Sequence, residues 1–267
     1  MRSWASWRGE VGFMFSQADA YERFMGRWSR LLAPALVAFA EVRDGDAVLD
    51  AGCGTGSLSF AVRDGTGAAR VSAVDSSAEY VGHAKTANHD PRVEFRVEDA
   101  QELPFPDGTF EKTLSLLVLN FIPDPARAVK EWLRVTKPGG VVSAAVWDYG
   151  EGMQMLRAFW DEAIAFDPAA RPRDEAHMPL CRGGELSALW RQVGLQHVEE
   201  VALGVAQRFE SFDEYWAPFL LGQGPAGAWV ATLDAARRME LGERLRRRLR
   251  PPIELEARAW AVRGRVP

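Results

Sequence analysis

Asp50, Gly52, Gly54, Gly56 and Asp75 are spaced as the parts of a nucleotide pocket would be. The run Ala47-Val48-Leu49 suits a strand buried on both faces, as in a parallel sheet, and it ends in an acid. Glycines at 52, 54 and 56 then remove side chains at alternate positions, so the loop can turn sharply and let a ligand approach its backbone. The mostly apolar stretch 58–62 continues as a helix whose first N–H groups would face that ligand. The next apolar run, 71–75, closes on Asp75, where a carboxylate could take ribose hydroxyls. A dinucleotide fingerprint needs glycine where Ser57 stands, which weighs against NAD or FAD. A tight turn followed by Asp75 as a helix cap is the plainer alternative, and it leaves the glycines unexplained.

The elements that would position these residues follow a regular order. A helix is expected over 31–41, entered after Ser29. Apolar strands at 47–50, 71–75, 93–97, 113–118 and 140–147 alternate with helical patterns, the βαβ rhythm of a doubly wound α/β sheet. Pro138-Gly139-Gly140 reads as the turn that launches the fifth strand. Beyond Tyr149, MQMLRAFWDEAIAF is an amphipathic helix, 167–179 a polar, proline-rich loop, GGELSALWRQVGL another helix and VEEVALGVAQRF a sixth strand. Residues 211–249 look helical with a break at 222–225, and IELEARAWAVRGRV closes the chain as a strand.

Composition narrows the function. The 267 residues, 47% hydrophobic, suffice for one large core or a core with a lid. A net charge of -5 gives no general attraction to nucleic acid or anionic membrane. Cys53 and Cys181 lie too far apart in type of setting and sequence to suggest a disulfide, and no zinc site is expected. The first residues, MRSWASWRGEVGFMF, have no apolar signal region and no run approaches a membrane span, so a cytoplasmic protein is expected. Residues 1–13 look dispensable, with Met14 a candidate start.

From about Tyr21 to Tyr149 the chain resembles the class I S-adenosylmethionine-dependent methyltransferases, and is similar to the small-molecule branch that holds the quinone-biosynthesis C-methyltransferases. The segments that carry the likeness are VLDAGCGTGS, VSAVDSS, VEFRVEDAQELPFPDGTFE, TLSLLVLNFIPDPARAVKEWLRVTKPGG and VVSAAVWDY. The resemblance implies a Rossmann-like, mostly parallel seven-stranded sheet with a helical lid inserted near the C-terminus. It implies S-adenosyl-L-methionine as cofactor, leaving S-adenosyl-L-homocysteine, and a small-molecule methyl acceptor. On that reading the chain divides into a flexible extension at 1–20, a cofactor core at 21–150, helices and a sixth strand completing it at 151–210, a lid at 211–250 and a closing strand at 251–267.

The resemblance also places residues. Gly52, Cys53 and Gly54 would line the loop beneath the methionine part of the cofactor. Asp75 would accept both ribose hydroxyls, with Ser76 beside the adenine. Asp99 would accept from the adenine amino group and Ala100 offer its N–H to the ring, while the Leu116 carbonyl would meet the cofactor's ammonium. YERFMGRWS resembles a segment that closes over the cofactor through Tyr21, with Arg27 reaching the cofactor carboxylate; the alternative is an amphipathic helix that turns Tyr21, Phe24 and Trp28 to the core. Asn120 stands where many relatives carry histidine, so no histidine base is expected there.

Methyl transfer from a sulfonium needs chiefly positioning and the exclusion of water, so these motifs locate the cofactor and say little of the acceptor. No catalytic residue is assigned. His83, His89 and His197 read as structural or surface residues, and His177 is the one histidine that could reach the pocket. Asn120, Trp147 and Tyr149, at strand ends, are candidates for its lining. Phe209, Phe212, Tyr215, Trp216, Phe219 and Trp229 are either ordinary helix packing or an aromatic cavity for a flat, lipophilic acceptor. The arginines of 237–250 read as a solvated helix face, with an RNA- or protein-methylating surface as the alternative. A binding protein that keeps the cofactor without catalysis also fits, and a nicotinamide oxidoreductase is the outside reading.

Overall fold

The computed structural model describes residues 18–267, so Met14 and most of the expected N-terminal extension lie outside the described residues. Residues 18–20 are not an extension: they open helix α1 (Ala18–Tyr21) and bury Ala18 and Ala20. A π-helical turn, Glu22–Gly26, joins α1 to α2 (Arg27–Phe39). The helix thus starts earlier than Ser29 suggested. Ser29 is buried within it, and its hydroxyl donates to the Met25 carbonyl at 3.1 Å instead of capping.

The sheet has seven strands: β1 (Ala47–Ala51), β2 (Arg70–Asp75), β3 (Val93–Val97), β4 (Phe110–Leu116), β5 (Thr136–Trp147), β6 (Gln196–Phe209) and β7 (Ile253–Arg265). Their order is β3-β2-β1-β4-β5-β7-β6, parallel except for β7, which runs antiparallel to both β5 and β6. Every residue of β1 is buried, as its lack of alternation required. Helices α3 (Ser57–Gly65), α4 (Ala78–Ala87), α5 (Pro125–Val135), α6 (Gln154–Phe166) and α7 (Glu185–Val193) connect the strands. Ser77 caps α4 by accepting from Tyr80 N at 3.3 Å, and Asp124, followed by Pro125 at the first helical position, caps α5 through Arg127 N at 3.0 Å.

Two strands differ from expectation. β4 ends at Leu116, not 118, because Leu117 adopts φ +64 and the chain turns into a short 3₁₀ helix, Leu119–Phe121. β5 begins at Thr136 rather than after the Pro-Gly-Gly turn; Phe110 already pairs with Thr136, and a register shift before Lys112 takes up the extra residues. Between α6 and α7, the proline-rich stretch folds into two 3₁₀ turns, Pro168–Arg173 and Glu175–His177, with Glu175 buried.

Between β6 and β7 the chain inserts α8 (Phe212–Trp216), a 3₁₀ turn Ala217–Leu221, α9 (Gly224–Ala231) and α10 (Ala235–Arg248). Gly222 (φ +76) and Gly224 (φ +64) make the break between them. The inserted aromatic side chains pack on α6 and on one another. Phe219 stacks on Phe159 with centroids 4.6 Å apart, and the Tyr215 hydroxyl donates to the Met155 carbonyl at 3.0 Å. Phe209, at the end of β6, and Phe212, Tyr215, Trp216, Phe219 and Trp229 are all buried and continuous with the main core, as where Phe219 meets Phe24 and Phe209 meets Trp28.

Candidate functional site

The strand order reverses at β1, which has β2 on one side and β4 on the other, and a crevice opens beyond their carboxyl ends. A cleft of about 430 Å³ occupies it. The N–H groups of Gly52 and Cys53 both donate to the Val74 carbonyl, at 2.8 and 2.9 Å, bending the loop back over β2. Gly52 has φ +83, and a Cβ there would lie 2.6 Å from the Val118 side chain. Gly54 has φ +51, and a Cβ there would meet nothing within 4 Å, so this is the point where a ligand can lie against bare backbone.

Two carboxylates face each other across the loop. Asp75 accepts from Gly54 N at 2.8 Å with one oxygen and from Ser77 N at 2.9 Å with the other. These bonds fix its orientation and leave each oxygen a further lone pair. Burial pushes its carboxyl up, against the lowering effect of the Ser77 and Gly54 bonds. Asp50 is fully buried; Ser59 Oγ donates to its Oδ2 at 2.6 Å, and its Oδ1 has no partner. Burial, with Asp75 adding its charge, raises this carboxyl to about 7 despite the Ser59 bond.

The far end of the cleft is built by α1, α4 and the loop after β3. Tyr21 and Tyr80 approach with ring centroids 5.5 Å apart, and Tyr21 shares a hydrogen bond with Ser29 Oγ at 3.3 Å. The Tyr80 hydroxyl is buried without a partner. Asp99 accepts from Gln101 N at 2.8 Å, and the Ala100 carbonyl accepts from Trp132 Nε1 at 3.0 Å, anchoring that peptide at the rim. The opposite wall, Leu116, Leu117, Val118, Phe121, Ile122 and Pro123, is apolar.

All the residues expected at the cofactor line this cleft except Arg27: Tyr21, Gly52, Cys53, Gly54, Asp75, Ser76, Asp99, Ala100 and Leu116 come together there. Arg27 sits on the other face of its helix, its guanidinium 4.5 Å from the Phe209 ring centroid, and the residues it accompanies line a separate cavity. The helix period turns Tyr21 and Ser29 inward and Arg27 away. None of the four histidines lines the cleft; His177 is exposed with Nδ1 3.5 Å from Arg182. Asn120, Trp147 and Tyr149 are buried and do not line it. Sequence reading missed Tyr80 and Gln101. Tyr80 was findable: Ser77 caps the helix, and the residue three places on faces the same end of the strand.

Among the described residues, four of the six arginines of α10 pair with acids of the chain. Arg237 pairs with Asp167 at 2.6 Å, Arg248 with Asp161 at 2.8 Å, Arg246 with Asp213 at 3.2 Å and Arg244 with Glu162 at 3.5 Å. Cys53 and Cys181 are both free and buried. No helix among the described residues is long and apolar enough to cross a membrane.

Residues 49–144 match the methyltransferase domain family. The ubiquinone/menaquinone biosynthesis C-methyltransferase of Cupriavidus metallidurans is 31% identical over 208 residues, 71% of this chain and 85% of that protein. The chain therefore belongs to the class I S-adenosylmethionine-dependent methyltransferases, and its cofactor is S-adenosylmethionine. The 2-methyl-6-phytyl-1,4-hydroquinone methyltransferase of Synechocystis is 36% identical over 121 residues, 45% of this chain and 38% of that enzyme. The chain spans about half or less of the length of several such curated relatives. Among solved structures, the complex containing the Haloferax volcanii Trm112 methyltransferase activator has a chain that superposes with TM-score 0.62 at 23% identity, over 96% of this chain and 97% of that one, a likeness of fold.

The cleft fits this cofactor chemically. S-adenosylmethionine presents hydrogen-bond donors at its ribose diol, its ammonium and its adenine amino group, and a sulfonium charge between them. Asp75, Asp50 and Asp99 offer acceptors along the cleft, with the unpartnered Asp50 Oδ1 the clearest vacancy for a donor. Among the described residues, no lysine, arginine or histidine lines it to oppose a cation.

Proposed function

We propose that this chain transfers a methyl group from S-adenosylmethionine to a small apolar or aromatic metabolite. The observation that carries the reading is Asp75 clamped between the Gly54 and Ser77 N–H groups at the edge of the glycine loop, opposite the unpartnered Asp50 oxygen. Asp75 would take the ribose hydroxyls, Asp99 the adenine amino group, and Asp50 or the Leu116 carbonyl the ammonium. When bound, the cofactor supplies a methyl group on a sulfonium, ready for in-line displacement. The chain's part is to hold the acceptor in line and keep water out. The wall from Leu116 to Pro123 is apolar, which supports an apolar acceptor, and one relative is named for a hydroquinone and another for ubiquinone/menaquinone biosynthesis. The helices of 211–250, expected as a lid, contribute no lining residue to this cleft. The two free, buried thiols support a cytoplasmic setting.

Thermal shift with S-adenosylhomocysteine tests the cofactor site. The expected result is a rise in melting temperature that Asp75→Ala removes; no rise in the parent protein overturns the reading. Incubation with methyl-labelled cofactor and a panel of hydroquinones and phenols then tests the transfer. Binding with no labelled product from that panel or from a metabolite extract would leave a cofactor-binding protein without catalysis.

A further inference from the structure

A second, more open groove lies on the other side of the helical segment that lines the cofactor cleft. It measures about 760 Å³, within the range of small-molecule sites, and shares no lining residue with the cleft. The segment has two faces. Tyr21 and Ser29 line the cofactor cleft, whereas Arg23, Arg27 and Arg30, at intervals of four and three, line the second cavity.

The charges there are unbalanced. Arg30 pairs with Glu22. Arg27 lies over the Phe209 ring at 4.5 Å, and neither it nor Arg23 has a carboxylate partner among the described residues. The remaining acid, Glu214, accepts from Glu210 N at 2.9 Å and keeps its charge, so three arginines against two glutamates leave the lining one net positive charge. Leu31, one turn along the same helix from Arg27 and 44% exposed, and Ala217, Pro218 and Leu221 of the insertion supply aliphatic lining beside these guanidinium groups. A site lined by both guanidinium and aliphatic groups matches a ligand with both characters.

We propose that this cavity binds an amphipathic anion, a carboxylate or phosphate borne on an aliphatic chain, with Arg23 and Arg27 taking the head group and the 217–221 turn taking the tail. Guanidinium forks match both head groups, since each offers paired donors to paired oxygens. The ligand is an effector and not the methyl acceptor, because the helical segment stands between it and the cofactor cleft. The two sites are nevertheless joined: Glu22, which holds Arg30, also accepts from Thr55 Oγ1, and Thr55 lines the cofactor cleft. An anion that draws Arg30 away changes the hold of Glu22 on the glycine loop, so each ligand alters the other's affinity by the same factor.

Calorimetry with decanoate and octyl phosphate tests the site, with inorganic phosphate as a head-only probe and decanol as a tail-only probe. Both amphiphiles are expected to bind saturably, to bind at least about tenfold more weakly to Arg23→Ala/Arg27→Ala, and to outcompete either half-probe. The double variant should keep its thermal shift with S-adenosylhomocysteine, which separates loss of this site from misfolding. Absence of saturable binding, equal affinity in the double variant, or decanol binding as tightly as decanoate each overturns the proposal. Failure of S-adenosylhomocysteine to stabilise the parent protein would remove the function proposed above, while the anion site would still be decided by these titrations.

Discussion

Asp50 makes the affinity for the cofactor depend on pH. Its carboxyl is fully buried, one oxygen is held by Ser59, and burial raises its pKa to about 7. A donor on the ligand gains most from the ionised form, so binding must first remove the proton wherever Asp50 is protonated. With an apparent pKa near 7, the dissociation constant scales as one plus the ratio of protonated to ionised enzyme. That factor is roughly 11 at pH 6 and roughly 1.1 at pH 8, so affinity for S-adenosylhomocysteine should tighten about tenfold across the interval, or about 1.4 kcal/mol. The sign is fixed by the direction of the shift: a raised acid is protonated in the free protein at pH 6 and ionised at pH 8. Calorimetry at pH 6, 7 and 8 measures it, with Asp50→Asn as the comparison. Asparagine can still accept from Ser59 but does not titrate, so its curve should be flat. The ligand's own titration is common to both proteins and cancels. A parent curve that is flat, or a slope that Asp50→Asn retains, refutes the assignment and shifts attention to Asp75.

Three further outcomes follow from the geometry. Gly52→Ala places a Cβ 2.6 Å from Val118 at φ +83, so it should cost about 1–3 kcal/mol in urea denaturation and abolish the S-adenosylhomocysteine shift. Tyr80→Phe removes a buried hydroxyl that has no partner; the unliganded protein should melt no lower than the parent, while calorimetry shows S-adenosylhomocysteine binding weakened about tenfold if the hydroxyl meets the ligand. Glu175, raised by burial to about 8 against the lowering bond from Trp160, binds its proton in the folded chain where the unfolded chain has lost it. Its contribution is therefore most favourable below about pH 4.5 and declines as pH rises towards 8. Glu175→Gln should flatten that decline, gaining on the order of a few kcal/mol relative to the parent at pH 9 in denaturant titrations, and an unchanged pH profile would show the carboxyl to be solvated.

The cofactor loop was legible because its signals are local. Glycine at 52, 54 and 56 is demanded by backbone conformation, and Asp50 and Asp75 end strands that read as buried runs. The strand boundaries were less so. Leu117 is left-handed against its own preference, and only the sheet's register and the close approach of Gly52 to Val118 explain why the chain turns there. Arg27 shows the deeper limit. YERFMGRWS spells out a helix, but which face looks into the cleft depends on the π-turn from Glu22 to Gly26, and one extra residue in a turn rotates everything after it by about 100°. The acceptor is less legible still, since Asn120, Trp147 and Tyr149 stand at the right strand ends yet are buried and line none of the cleft. Spacing along a chain fixes what a single loop can do. What a second substrate meets is set by side chains from separate elements, whose mutual orientation no local pattern records.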